Sequence, residues 1–120
     1  MTKPISPRLH SLLDYGLTLG NLTVPSLLGT STKARLVFAG FGAVQGVLNA
    51  LTVQPYAVRK LVPFALHGTI ERDSLPVLAV VPLLAGLWDE KKARYYWLGA
   101  TAALVTVYLL TDWDAKRTDK

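Results

Sequence analysis

The chain contains no cysteine. Disulfides, thiolate metal sites and cysteine nucleophiles are thereby excluded, and cysteine usage indicates no redox compartment. Charge is also scarce, at 18% of residues, where soluble domains usually carry about a quarter. Only two histidines are present. No glycine-rich phosphate loop exists, because Gly40-x-Gly42 lies in a helical stretch without the strand or lysine it would need. No nucleophile elbow exists either, and Ser11 beside His10 projects about 100° away from it on a helix. The reading therefore leans away from an enzyme. The N-terminus lacks a compact basic region, apolar core and small-residue cleavage site, so no removable signal peptide is expected.

What is present is apolar sequence, arranged in blocks. Hydrophobic residues make up 51% of the 120 residues, and the mean hydropathy is +0.32. Leu9–Gly29 holds one charged residue, Asp14, while Leu36–Gln54, Leu75–Trp88 and Tyr95–Thr111 hold none. A membrane-crossing helix needs about 20 mostly apolar residues, with shorter ones tolerated where the bilayer thins. Four such blocks predict an all-α, four-helix transmembrane bundle forming a single domain over residues 1–120. A soluble bundle would need a charged face on each helix, and the second and fourth blocks have none. The formal charge of +5 comes from lysines and arginines placed between the blocks, where they would flank a bilayer. No basic element gathers them, so nucleic acid is not expected as a partner. Lysine and arginine are slightly richer on the terminus side, which predicts a multi-pass protein of the cell (inner) membrane with both termini cytoplasmic.

Local signals place the elements. Ser6-Pro7 starts helix 1, a serine cap before a first-turn proline. That helix runs toward Gly29 or stops near Gly20. Thr30-Ser31-Thr32 caps helix 2, which starts near Lys33. Pro63 opens helix 3, which is either continuous or split at Glu71-Arg72-Asp73 into Val62–Asp73 and Ser74–Trp88. Asp89-Glu90 caps helix 4, which runs to about Trp113, and the polar tail Asp114–Lys120 frays. Gly42-x-x-x-Gly46 offers a bare face for close helix packing, and Gly99, Pro25 and Pro82 are further packing positions.

The chain is internally duplicated. His67, Glu71, Val81-Pro82, Leu84 and Gly86 stand at one constant offset from His10, Asp14, Val24-Pro25, Leu27 and Gly29. With a shift of two residues the match continues. Lys92-Ala93-Arg94, Gly99, Ala102 and Leu110-Thr111 answer Lys33-Ala34-Arg35, Gly40, Ala43 and Leu51-Thr52. Two tandem helical hairpins of the same orientation are expected, covering about 6–54 and 62–113. Histidine and carboxylate four residues apart share a helix face, as do Gln45 and Asn49. His10, Asp14, His67, Glu71, Asn49 and Gln45 are therefore expected to form a polar cluster around the pseudo-twofold axis.

His10, Asp14, Tyr15, Pro25 and Gly29, with His67, Glu71, Pro82 and Gly86, resemble the small multi-pass bacterial membrane proteins named for a Ser-Pro-Trp (SPW) repeat. Tyr15 has no counterpart in the second half, where Arg72 stands. The naming triplet is replaced by Val24-Pro25-Ser26 and Val81-Pro82-Leu83. The resemblance covers both halves and implies a four-span membrane fold, with no activity attached.

Three functional readings follow. In the first, the His–acid pairs are structural glue in a membrane protein of structural or accessory type, with the lipid bilayer as one partner and a homo-oligomer or a membrane complex as its setting. In the second, the same groups handle protons or ions in transport. In the third, His10 and His67 ligate haem for electron transfer, or a metal. The first reading takes no cofactor and no metal.

Overall fold

The computed structural model describes residues 3–115; Met1, Thr2 and residues 116–120, where most of the polar tail falls, lie outside the described residues. Four helices make up the described fold: α1 (Pro7–Leu27), α2 (Thr32–Ala50), α3 (Phe64–Leu84) and α4 (Lys91–Leu110). Their starts follow the local chemistry. The Ser6 hydroxyl accepts a hydrogen bond from the Leu9 amide, with Pro7 behind it, and the Ser31 hydroxyl accepts from Ala34. Gly29 and Gly86 end α1 and α3 at φ of +74° and +76°, a left-handed backbone that glycine enters without a Cβ penalty.

Both open alternatives of the sequence resolve to unbroken helices. α1 runs through Gly20 to Leu27, and α3 runs through Glu71-Arg72-Asp73. Ser74 does not cap a new helix; its hydroxyl donates to the Glu71 carbonyl one turn back, and Arg72 and Asp73 pair with each other in solvent at 3.1 Å.

The membrane expectation is corrected. Among the described residues, no helix is long and apolar enough to cross a membrane. The charge-free blocks of the sequence run past the helix ends. Their helical parts shrink to Leu36–Ala50 in α2, Leu75–Leu84 in α3 and Tyr95–Leu110 in α4, each short of about 20 residues. The bilayer location, with its cytoplasmic termini, falls with this correction.

The bundle has two chemically different ends. At the hairpin end, Ala34, Phe38, Leu87, Ala93 and Trp97 form the apolar core, with Phe38 edge-on to Tyr96 at 4.9 Å. The Trp97 indole donates to the Leu78 carbonyl at 2.9 Å. At the other end, polar side chains are buried instead. There the chain makes two short parallel bridges. Ile5 pairs with Thr111, and Val62 pairs with Thr52, so the segment entering α1 is tied to the end of α4 and the segment entering α3 to the end of α2.

Gly42 and Gly46 let α2 approach α1. A Cβ on Gly42 would sit 2.8 Å from the Asn21 Cβ and 3.1 Å from the Thr18 carbonyl oxygen; one on Gly46 would sit 2.8 Å from the Thr18 methyl. Gly99 and Gly40 face open space. Pro25 and Pro82 are fully buried. Gly42→Ala is therefore expected to cost about 1–3 kcal/mol through overpacking. Gly99→Ala should be neutral or gain up to about 1 kcal/mol of helix propensity. Urea unfolding of the two variants checks the contrast.

Candidate metal centre

Four side chains converge at the polar end. His10 and Asp14 come from the first turns of α1, and His67 and Glu71 from the matching turns of α3. His10 and Asp14 are 0% exposed, His67 1% and Glu71 6%. One ligand atom from each lies within 4.8 Å of the others. Burying that many ionisable groups is expensive unless they are paired or share an ion.

The imidazoles are oriented by threonines. His10 Nδ1 lies 2.8 Å from the Thr111 hydroxyl, and His67 Nδ1 lies 2.7 Å from the Thr52 hydroxyl. Each hydroxyl spends its own proton one turn back on its helix, Thr111 on the Val107 carbonyl and Thr52 on the Leu48 carbonyl. The threonine oxygens can then only accept, so each histidine donates from Nδ1. That choice turns both Nε2 atoms toward the carboxylates. His67 Nε2 is 3.0 Å and His10 Nε2 3.3 Å from Asp14 Oδ2; their distances to Glu71 Oε1 are 3.9 and 3.8 Å.

An imidazole lone pair and a carboxylate oxygen repel at 3.0 Å unless a proton or a cation lies between them. Among the described residues, His10 Nε2, Asp14 Oδ2 and Glu71 Oε2 have no aligned hydrogen-bond partner. Burial alone would raise the Asp14 carboxyl, but hydrogen bonding and charge attraction from His10 and His67 outweigh it and hold it down at about 2. Glu71 goes the other way, to about 9, pushed first by burial and then by the Asp14 charge. The pocket therefore tolerates one bare carboxylate and resists a second unless positive charge is supplied.

Surrounding groups hold the four in place. Gln45 donates to Asp14 Oδ1 at 3.2 Å, and Asn49 donates to the Ser11 carbonyl at 2.9 Å. The structure thus sets Gln45 directly on the cluster and Asn49 one step behind it. Trp113 covers the terminus side, with ring centroids 4.6 Å from His10 and 5.8 Å from His67, and stacks on Phe64 at 4.9 Å. Gly68 makes room for it, since a Cβ there would fall 2.6 Å from the indole. The sequence reading singled out the histidines, acids and amides but not Thr52 and Thr111. The signal was available, because both stand at matching positions of the two halves, one residue after a matched leucine.

The spacing bears on the haem reading. Axial ligands on one haem iron need a planar macrocycle between them. Here the imidazole rings pack edge to face with centroids 5.3 Å apart, and both Nε2 atoms lie within 3.9 Å of the Asp14 and Glu71 carboxylates. Set against known proteins, no family model matches this chain, and no curated protein and no solved structure matches it either.

Proposed function

We propose that this chain is a metalloprotein of accessory or structural type that holds one divalent transition-metal ion, zinc(II) by preference, between His10 Nε2, His67 Nε2, Asp14 and Glu71. The observation that carries this is metric. An ion with ligands at about 2.0–2.1 Å in a tetrahedron has ligand–ligand edges of about 3.3 Å. The four nitrogen–oxygen distances run 3.0, 3.3, 3.8 and 3.9 Å, so a small movement of Glu71 closes the shell. Two imidazoles and two carboxylates suit zinc in preference to magnesium or calcium, and two carboxylates neutralise its charge. The Nδ1–H to threonine bonds are the outer-shell contacts that orient metal-binding histidines.

The same reading takes the fold as two homologous hairpins that complete each other's half of the site. Its support is reciprocity: His10 of the first half is oriented by Thr111 of the second, and His67 of the second by Thr52 of the first. Self-association is supported by large apolar side chains left outward, among them Leu19, Val47, Val80 and Leu109.

Equilibrium dialysis against buffered zinc(II) tests the proposal. The chain is expected to take up one equivalent, and His67→Ala none. Thr52→Val, which keeps the shape of the side chain and removes the acceptor, should weaken uptake about 10- to 100-fold. Uptake unchanged in His67→Ala would overturn the site.

A further inference from the structure

The two halves of the site hold their carboxylates differently. Asp14 is pinned, because Gln45 of α2 donates to its Oδ1 at 3.2 Å. At the spacing that matches Gly40 with Gly99, Gln45 matches Leu104 of α4, an alkyl side chain with nothing to donate. Gly42 and Gly46, which let α2 close on α1, match Thr101 and Val105. α4 packs less closely on α3 than α2 does on α1. Glu71 therefore lacks the contact that holds its counterpart. Its Oε2 has no hydrogen-bond partner among the described residues. Its Oε1 stands 3.8 and 3.9 Å from the two imidazole nitrogens, beyond hydrogen-bond length. Glutamate also has one more rotatable bond than aspartate, so fixing it on a metal costs more conformational freedom.

The other three side chains are held from outside the cluster, His10 by Thr111, His67 by Thr52 and Asp14 by Gln45. Glu71 is also the most exposed of the four, at 6%. Glu71 and His67 border a groove of about 520 Å³. Val44 and Val77 line the same groove and are 71% and 52% exposed, so it is open to solvent. Glu71 Oε2 is buried and not turned to the groove, so the side chain must rotate to leave the cluster. Three fixed protein ligands and an exchangeable fourth position make up the open arrangement of a zinc site.

We propose that Glu71 is an exchangeable ligand, displaced by a small neutral donor such as water or an imidazole from a metal that His10, His67 and Asp14 retain. The inference rests on the metal reading and deepens it. The donor is neutral because Asp14 and Glu71 together already balance a divalent ion. An anion would add an unpaired charge to a buried site.

Titration of the cobalt(II)-loaded full chain with imidazole tests this, cobalt serving as a coloured stand-in for zinc. Cobalt uptake is measured first by dialysis. A chain that takes up none removes the metal reading and this inference together, whereas a loaded chain reports on exchange alone. The visible cobalt bands should shift saturably, with one imidazole bound per cobalt and the cobalt retained. The cobalt K-edge spectrum of the wild-type chain should keep four neighbours and gain the scattering of a third imidazole ring. Glu71→Ala should still load through three ligands and bind imidazole at least about tenfold more tightly, since no ligand has to leave. A loaded wild-type chain whose bands ignore imidazole overturns the proposal, whether or not Glu71→Ala responds. A fifth neighbour, equal affinities in the two chains, or cobalt lost to the dialysate each overturn the displacement of Glu71. A Glu71→Ala chain that takes up no cobalt overturns it as well, because the other three ligands then do not retain the ion.

Discussion

Asp14→Ala is expected to be the most damaging single substitution at the centre. The wild-type carboxylate is fully buried, sits within 3.0 and 3.3 Å of two imidazole nitrogens, and accepts from Gln45. Removing it strands those groups away from water. Breaking a buried ionic partnership by deleting one member typically costs about 3–5 kcal/mol, and urea unfolding of the metal-free chain should show a loss of that size. Asp14→Asn separates the two roles of the residue. An asparagine amide can donate to an Nε2 lone pair while its oxygen still accepts from Gln45, so most of the stability should return. A neutral amide supplies no ligand charge, so zinc uptake should remain lost. If Asp14→Asn kept full zinc uptake, the carboxylate would not be a ligand.

The metal-free chain should lose stability as pH rises, and bound zinc should remove that loss. Folding raises Glu71 from 4.5 to about 9. Between those values the native chain holds a proton that the unfolded chain has released, so stability falls as pH rises. The contribution is complete below 4.5 and gone above about 9. From about pH 7.5 to 9, above the ordinary histidine range, it amounts to about 1–2 kcal/mol lost. Asp14 acts with the opposite sign. Its lowered carboxyl contributes stability above 3.8 that disappears as pH falls toward about 2. With metal bound, Glu71 is already deprotonated, and ligand deprotonation makes affinity rise with pH. Thermal unfolding at about pH 7.5 and 9, with and without zinc, should therefore show the gap between the two states widening. Glu71→Gln should abolish the decline in the metal-free chain. A metal-free chain that gains stability over this interval would contradict the burial of Glu71 as a neutral acid.

Much of the helical layout was legible in the sequence because helix starts have local causes. Ser6-Pro7, Ser31 and Pro63 act over a few residues, and no distant contact is needed to read them. The pairing of His10 with Asp14 and of His67 with Glu71 on single faces was legible for the same reason, from spacing alone. The meeting of those two faces was expected from the matching sequence positions of the two pairs. Other features were not legible. Charge-free runs such as Leu36–Gln54 were read as helix from end to end, whereas α2 stops at Ala50 and the chain turns to pair Thr52 with Val62. Hydropathy sees composition, and it does not see where a helix ends. The continuity of α3 through Glu71-Arg72-Asp73 was ambiguous, because an aspartate and serine before a proline make a good cap in isolation. Trp113 was read only as the end of helix 4, yet it packs over two histidines in space that Gly68 leaves. The role of the matched threonines was not legible because a hydroxyl that only accepts is defined by two hydrogen bonds, one of them from a distant helix.

The most direct measurement is the metal K-edge X-ray absorption spectrum of the zinc-loaded chain. The predicted spectrum shows four nitrogen or oxygen neighbours at about 2.0–2.1 Å, with outer-shell scattering from two imidazole rings. A six-oxygen shell, or a shell without imidazole scattering, would contradict a centre built from His10, His67, Asp14 and Glu71.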